Sequence, residues 1–143
     1  MIDLDGCVRR GLLRKITPSR EKALQCLDKA SGLLGEAKAC LENGQLNSAV
    51  LTGYTALLGA ERAILFGDGW RERSHECAIR YLEAEYKQDI TQDTISLLER
   101  YKTSRHDTQY DVTYCPDEGE ASSLLEFAGR FLKTAKVIIW KKQ

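Results

Sequence analysis

The chain has 143 residues, with 21 basic and 21 acidic side chains, a length that suits one domain able to fold without cross-links. A formal net charge of zero argues against a broad electrostatic grip on nucleic acid, which needs a clustered basic face, but leaves room for a local basic pocket. With 43% hydrophobic and 29% charged residues the composition is ordinary for a soluble globular chain, and the scarcity of proline (Pro18 and Pro116 only) favours helices.

In chain order, residues 1–16 read as a short amphipathic lead-in, with Leu4, Val8, Leu12, Leu13 and Ile16 at roughly helical spacing and Gly11 as a break. They lack the apolar core of a signal peptide. Thr17-Pro18 predicts the start of the first long helix, since threonine can cap and proline at the first helical position loses no needed N–H. Ala23, Leu24, Leu27, Ala30, Leu34, Ala37 and Leu41 follow one helical face, and Asn43-Gly44 is a stop. The second helix spans about 47–66 and is apolar nearly all round, so it is expected at the centre. Glu61 and Arg62 at its heart make it a buried helix rather than a membrane span. Gly53, Ala56, Ala60 and Ala63 form a small-residue stripe on which another helix can close, from within the chain or, as the second reading, from another copy.

Gly67-Asp68-Gly69 ends that helix. Ser74 is placed to cap a third, with Glu76 in its first turn, where a carboxylate suits the helix dipole. A fourth helix starts at Thr91–Asp93 and uses Ile95, Leu98 and Tyr101; Arg105–Asp111 lies at or just beyond its end. Residues 111–116 read as loop. The last helix begins at Asp117-Glu118 and buries Ala121, Leu124, Leu125, Ala128, Phe131, Leu132, Ala135 and Ile139. No strand is expected. The fold class is all-α: an antiparallel up-and-down bundle of four long helices plus a short extra helix, over a single domain 1–143 with 1–16 as lead-in.

The five cysteines (Cys7, Cys26, Cys40, Cys77, Cys115) are scattered. Without CxxC or Cys/His ligand spacing no structural metal is expected. The odd count and scatter suit reduced thiols and a cytoplasmic location. Phosphate-binding, dinucleotide, zincin and serine-hydrolase motifs are all missing, and no cofactor is expected.

His75 follows the Ser74 cap and reads first as a partly exposed polar residue packing on the next helix, and second as an imidazole whose pKa the helix dipole depresses. Chemistry is concentrated instead in RHDTQYD, 105–111. Arg105 offers a planar fork for phosphate. His106 can move a proton near neutral pH. Tyr110 can donate to an oxyanion or stack on a base, and Asp107 can pair with Arg105. Base, acid and cation together are what metal-free phosphodiester cleavage needs; a plain polar helix end is the equally weighted alternative.

The order of GLLRKITPSREKALQCLDKA (11–30), NSAVLTGYTALLGAERAILF (47–66), GWRERSH (69–75), RHDTQYD (105–111) and EASSLLEFAGRFLKTAKVII (120–139) resembles the HEPN domain (higher eukaryotes and prokaryotes nucleotide-binding). Tyr54, the Ser74-His75 pair and the Arg105…Tyr110 pair carry most of the likeness. The resemblance implies a helical bundle that forms a homodimer, with a cleft near the fourth helix. It also implies either a metal-independent ribonuclease or a nucleotide-binding or scaffold module, in small prokaryotic members often paired with a nucleotidyltransferase in toxin–antitoxin systems. Catalytic members carry an arginine, a short spacer and a histidine. From Arg105 the spacing ends on Tyr110, whose phenol, with an ordinary pKa of about 10, is a poor base at neutral pH; the other register pairs Arg100 with His106. The expected function is therefore a dimeric module binding nucleotide or RNA phosphate, or docking a nucleotidyltransferase-type partner, through Arg105, His106, Asp107, Tyr110 and Arg100, with no membrane role. The alternatives are an endoribonuclease toxin using Arg100 or Arg105 with His106, and a structural bundle without ligand.

Overall fold

The computed structural model describes residues 1–142. Six helices and one small two-stranded sheet form an all-α bundle: α1 (Leu4–Arg9), β1 (Leu13–Lys15), α2 (Arg20–Glu42), α3 (Leu46–Asp68), β2 (Trp70–Glu72), α4 (His75–Glu85), α5 (Gln92–Tyr110) and α6 (Glu118–Lys141). The expectation of four long helices plus one is corrected to six, because the lead-in contributes a short helix of its own beside the expected one after Ser74.

Helix α3 is the centre, packed against α2, α4, α5 and α6. Its nearly all-round apolar surface permits nothing else, and Tyr54, Leu57, Ile64 and Leu65 are each at most 2% exposed. The small-residue stripe serves packing within the chain. Gly53, Ala56, Ala60 and Ala63 are all buried, and a Cβ on Gly53 would sit 2.8 Å from Leu125 Cδ1 on α6.

The absence of strands is also corrected. β1 pairs antiparallel with β2, Leu13 opposite Glu72 and Lys15 opposite Trp70. Three residues are too short for a period-two pattern to show in sequence. Gly69 makes the arrangement possible: at φ +91° it ends α3 in the left-handed region, and a side chain there would meet Pro18 Cγ at 2.8 Å. The first long helix consequently starts later than Thr17-Pro18 predicts. Those two residues are the connector from β1, and Ser19 is the cap, its Oγ accepting from Lys22 N.

Cys7 on α1 and Cys77 on α4 form a disulfide across a sequence separation of 70, Cα–Cα 5.8 Å. This corrects the expectation of five reduced thiols; Cys26, Cys40 and Cys115 are free. Two scattered cysteines in an otherwise motif-free sequence give no sign of partnership until β1–β2 pairing brings α1 against α4.

Candidate functional site

Three elements bring the chemistry together: the middle of α3, the start of α4 and the second half of α5. Ser74 caps α4 by accepting from Cys77 N, so His75 becomes the first helical residue and its ring turns towards α3. There the Tyr54 hydroxyl lies 3.3 Å from His75 Nδ1. Tyr54 is 2% exposed, and a buried phenol must donate to some acceptor. In the Nε2–H tautomer of the neutral ring Tyr54 donates to Nδ1, the arrangement that gives the buried phenol its acceptor; in the other tautomer Nδ1–H donates to the phenol oxygen. Burial, then the nearby Arg105 and Arg62 guanidiniums, hold the His75 pKa below its usual value, against an opposing pull from Glu72. The N-terminal end of the α4 dipole acts in the same direction. His75 is thus a neutral hydrogen-bond donor at neutral pH.

Arg105 reaches the same place from α5, its guanidinium carbon 5.9 Å from the Tyr54 ring centroid. Among the described residues it has no ion-pair partner. The neighbouring cations are committed elsewhere. Arg62 is bidentate to Glu72 at 2.9 and 3.0 Å. Lys102 donates to Glu76 at 2.5 Å, and Arg80 to Glu99 at 2.7 Å. These pairs fasten α3 to β2 and α4 to α5, leaving Arg105 as the open charge in a frame of satisfied ones.

Beneath this frame lies Glu61, 1% exposed, two helical turns from Tyr54 on the same face of α3. Its Oε1 finds no partner. Burial first, and then Glu72, push its pKa up to about 8, with Arg62 and Lys102 pulling the other way. It is a protonated acid at neutral pH.

RHDTQYD is not a helix end followed by loop, as expected. All of it up to Tyr110 belongs to α5, so the helical period sorts its residues by face. Arg105 points inward and Ser104 is buried. His106 and Tyr110, one turn apart, share the outer face with ring centroids 4.9 Å apart; the His106 side chain is 67% exposed and Tyr110 is 60% exposed. Asp107 approaches His106, at 3.9 Å, and does not pair with Arg105 as expected. Arg100 is exposed and lies over its neighbour Tyr101, 5.8 Å from the ring centroid. Neither proposed register forms a pair: a helix turns about 100° per residue, so Arg100 and His106 diverge by roughly 120°, and Arg105 and Tyr110 by roughly 140°. Of the five expected site residues only Arg105 enters the cluster.

His75, expected first as a partly exposed residue packing on the next helix, is half-buried and also hydrogen-bonds Tyr54. The available signal was the Ser74 cap, which fixes His75 at the first helical position on the side of α3. No cluster of residues that could hold a metal ion occurs among the described residues.

No curated protein matches this chain. The sequence pattern of the HEPN domain does match it, over residues 23–138. That span takes in most of α2, all of α3, α4 and α5, and most of α6, and with them every residue of the Tyr54–His75–Arg105 cluster; the chain belongs to the HEPN domain family.

Proposed function

We propose that this HEPN chain is a binding module that holds a phosphate group of a nucleotide or RNA between Arg105 and His75. HEPN membership supports an RNA- or nucleotide-associated helical module in general; the finer reading rests on one observation. A guanidinium without a carboxylate and a neutral imidazole whose Nδ1 is occupied by Tyr54 converge from two helices on one ring. Arginine supplies charge and a planar fork, and Nε2–H supplies a directed donor. In the Nε2–H tautomer the imidazole is not arranged as a base, because its acceptor nitrogen takes the Tyr54 proton. This favours holding an anion over cleaving it.

The endoribonuclease reading needs Arg100 or Arg105 beside His106, and α5 separates both pairs by its own period. A homodimer and a nucleotidyltransferase-type partner stay within the proposal on the strength of the family resemblance.

The test is paired. Binding of adenosine monophosphate is measured for wild type, Arg105→Ala and His106→Ala, alongside metal-free cleavage of a single-stranded RNA. The reading expects binding weakened about tenfold in the Arg105 variant, kept in the His106 variant, and no cleavage by any of the three. Cleavage abolished by His106→Ala would replace it with the ribonuclease reading.

A further inference from the structure

The groove along α2 and α3 lies apart from the cluster. It encloses about 610 Å³ and is walled by two helical stripes joined by Arg71 of β2. On α2 the stripe runs from Lys22 through Cys26 and Lys29 to Leu33; on α3 it runs from Thr55 through Gly59 and Arg62 to Phe66. Each covers eleven steps along its helix, about 16 Å. The two helices close tightly beneath it, since a Cβ on Gly59 would lie 3.3 Å from Ala30 Cβ. The floor is therefore shallow where Gly59 meets Ala30.

The charge on this trough is one-sided. Its lining holds Lys22, Lys29, Arg62 and Arg71 and no carboxylate, in a chain whose charges balance overall. Arg62 is neutralised by Glu72. Lys22, Lys29 and Arg71 are exposed and have no ion pair among the described residues. Because α2 and α3 run antiparallel, Lys22, Phe66 and Arg71 gather at one end while Leu33 and Thr55 mark the other.

We infer that this groove docks an acidic amphipathic helix of a partner protein. The length, the apolar floor and the basic rim match a helix of three turns with apolar residues at i, i+4 and i+7 and carboxylates on its flank, concentrated at the end nearest Arg71. A nucleic-acid strand fits less well. Single strands are held by aromatic platforms as well as charge, and Phe66 is the sole aromatic residue of the lining. The inference does not depend on the phosphate site.

The test uses the full chain and a fluorescein-labelled helical peptide with leucines at i, i+4 and i+7 and glutamates on both flanks. Its controls are the same peptide with lysine for glutamate, a single-stranded RNA, and the Arg105→Ala variant. Anisotropy is expected to show the acidic peptide binding at least tenfold tighter than the basic one, with affinity falling as salt rises. Lys22→Glu combined with Lys29→Glu, both on exposed positions, weakens it at least tenfold. Thr55→Trp, which fills the groove without changing charge, does the same, whereas Arg105→Ala leaves it unchanged. No preference for the acidic peptide, or full binding by both groove variants, would overturn the inference. So would RNA binding lost in the double lysine variant, which would make the groove a nucleic-acid track, or self-association lost in that variant, which would assign it to a second copy.

Discussion

Arg105 and His106 are adjacent in the chain and occupy unlike environments. Arg105 faces inward across Tyr54 and biases the protonation of His75. His106 faces outward, 67% exposed at its side chain, with Tyr110 for company. The difference is one step of a helix, about 100°. In a strand or loop the RHDTQYD cluster could converge on one ligand; in α5 it is divided between a framed interior face and an open exterior one. The residue that completes the arginine's surroundings comes from α4, 30 positions earlier in the chain.

The largest expected effect concerns what holds the interior face in place. The Cys7–Cys77 disulfide ends two residues after His75, and closing a loop of this length is worth about 4 kcal/mol by chain entropy. The double serine variant should unfold in guanidinium with about that loss, and thiol titration of the denatured wild type should find three free cysteines. Finding five would remove the clamp from the interior face.

Next is Glu61. Its folded-state pKa is raised, so the folded chain holds the proton more tightly than the unfolded one. The stability it contributes is present below about pH 4.3, the ordinary glutamate value, and is lost as pH rises through about 8. By pH 7 that loss is about 3 to 4 kcal/mol. Stability measured from pH 4.5 to 8 should fall in the wild type and stay flatter in Glu61→Gln. His75 has the opposite sign: its pKa is lowered, so its contribution is present above about pH 6.5 and lost as pH falls. If the Glu61→Gln profile matches wild type, the interior face is wetter than the structure has it.

Smaller, and aimed at the comparison itself, is ligand affinity. Arg105→Ala should weaken adenosine monophosphate binding about tenfold, or about 1.4 kcal/mol, while His106→Ala changes it less than about twofold, as expected of an exposed position without a ligand contact. Equal losses would mean that the two faces act together. The smallest effect is that of the cap: Ser74→Ala should cost about 1 kcal/mol of stability and loosen His75 while sparing His106.

Much of the architecture was legible. The apolar run of α3, the Asn43-Gly44 stop, the Ser74 cap and the Asp117-Glu118 start all stand where the sequence places them, because caps and apolar periodicity are local signals. Thr17-Pro18 misled because proline suits a connector as well as a first helical turn, and Ser19 next to it is an equally good cap. The β1–β2 pair and the Cys7–Cys77 bond were hidden for another reason: each joins segments far apart in sequence, and neither carries a local pattern. The candidate site was half legible. Arg105 stood out through residue type, but its neighbours Tyr54 and His75 belong to other helices. The helical phase that turns His106 and Tyr110 away from Arg105 shows only once α5 is known to continue to Tyr110.

The chain has two histidines, His75 and His106, so their ring signals can be followed separately by NMR as adenosine monophosphate is added across a pH series. A phosphate held between Arg105 and His75 offsets the cations that depress His75, so the account predicts that the His75 signals shift and its pKa rises on binding while His106 stays still. Movement of His106 with His75 unchanged would contradict it and place the ligand on the outer face of α5.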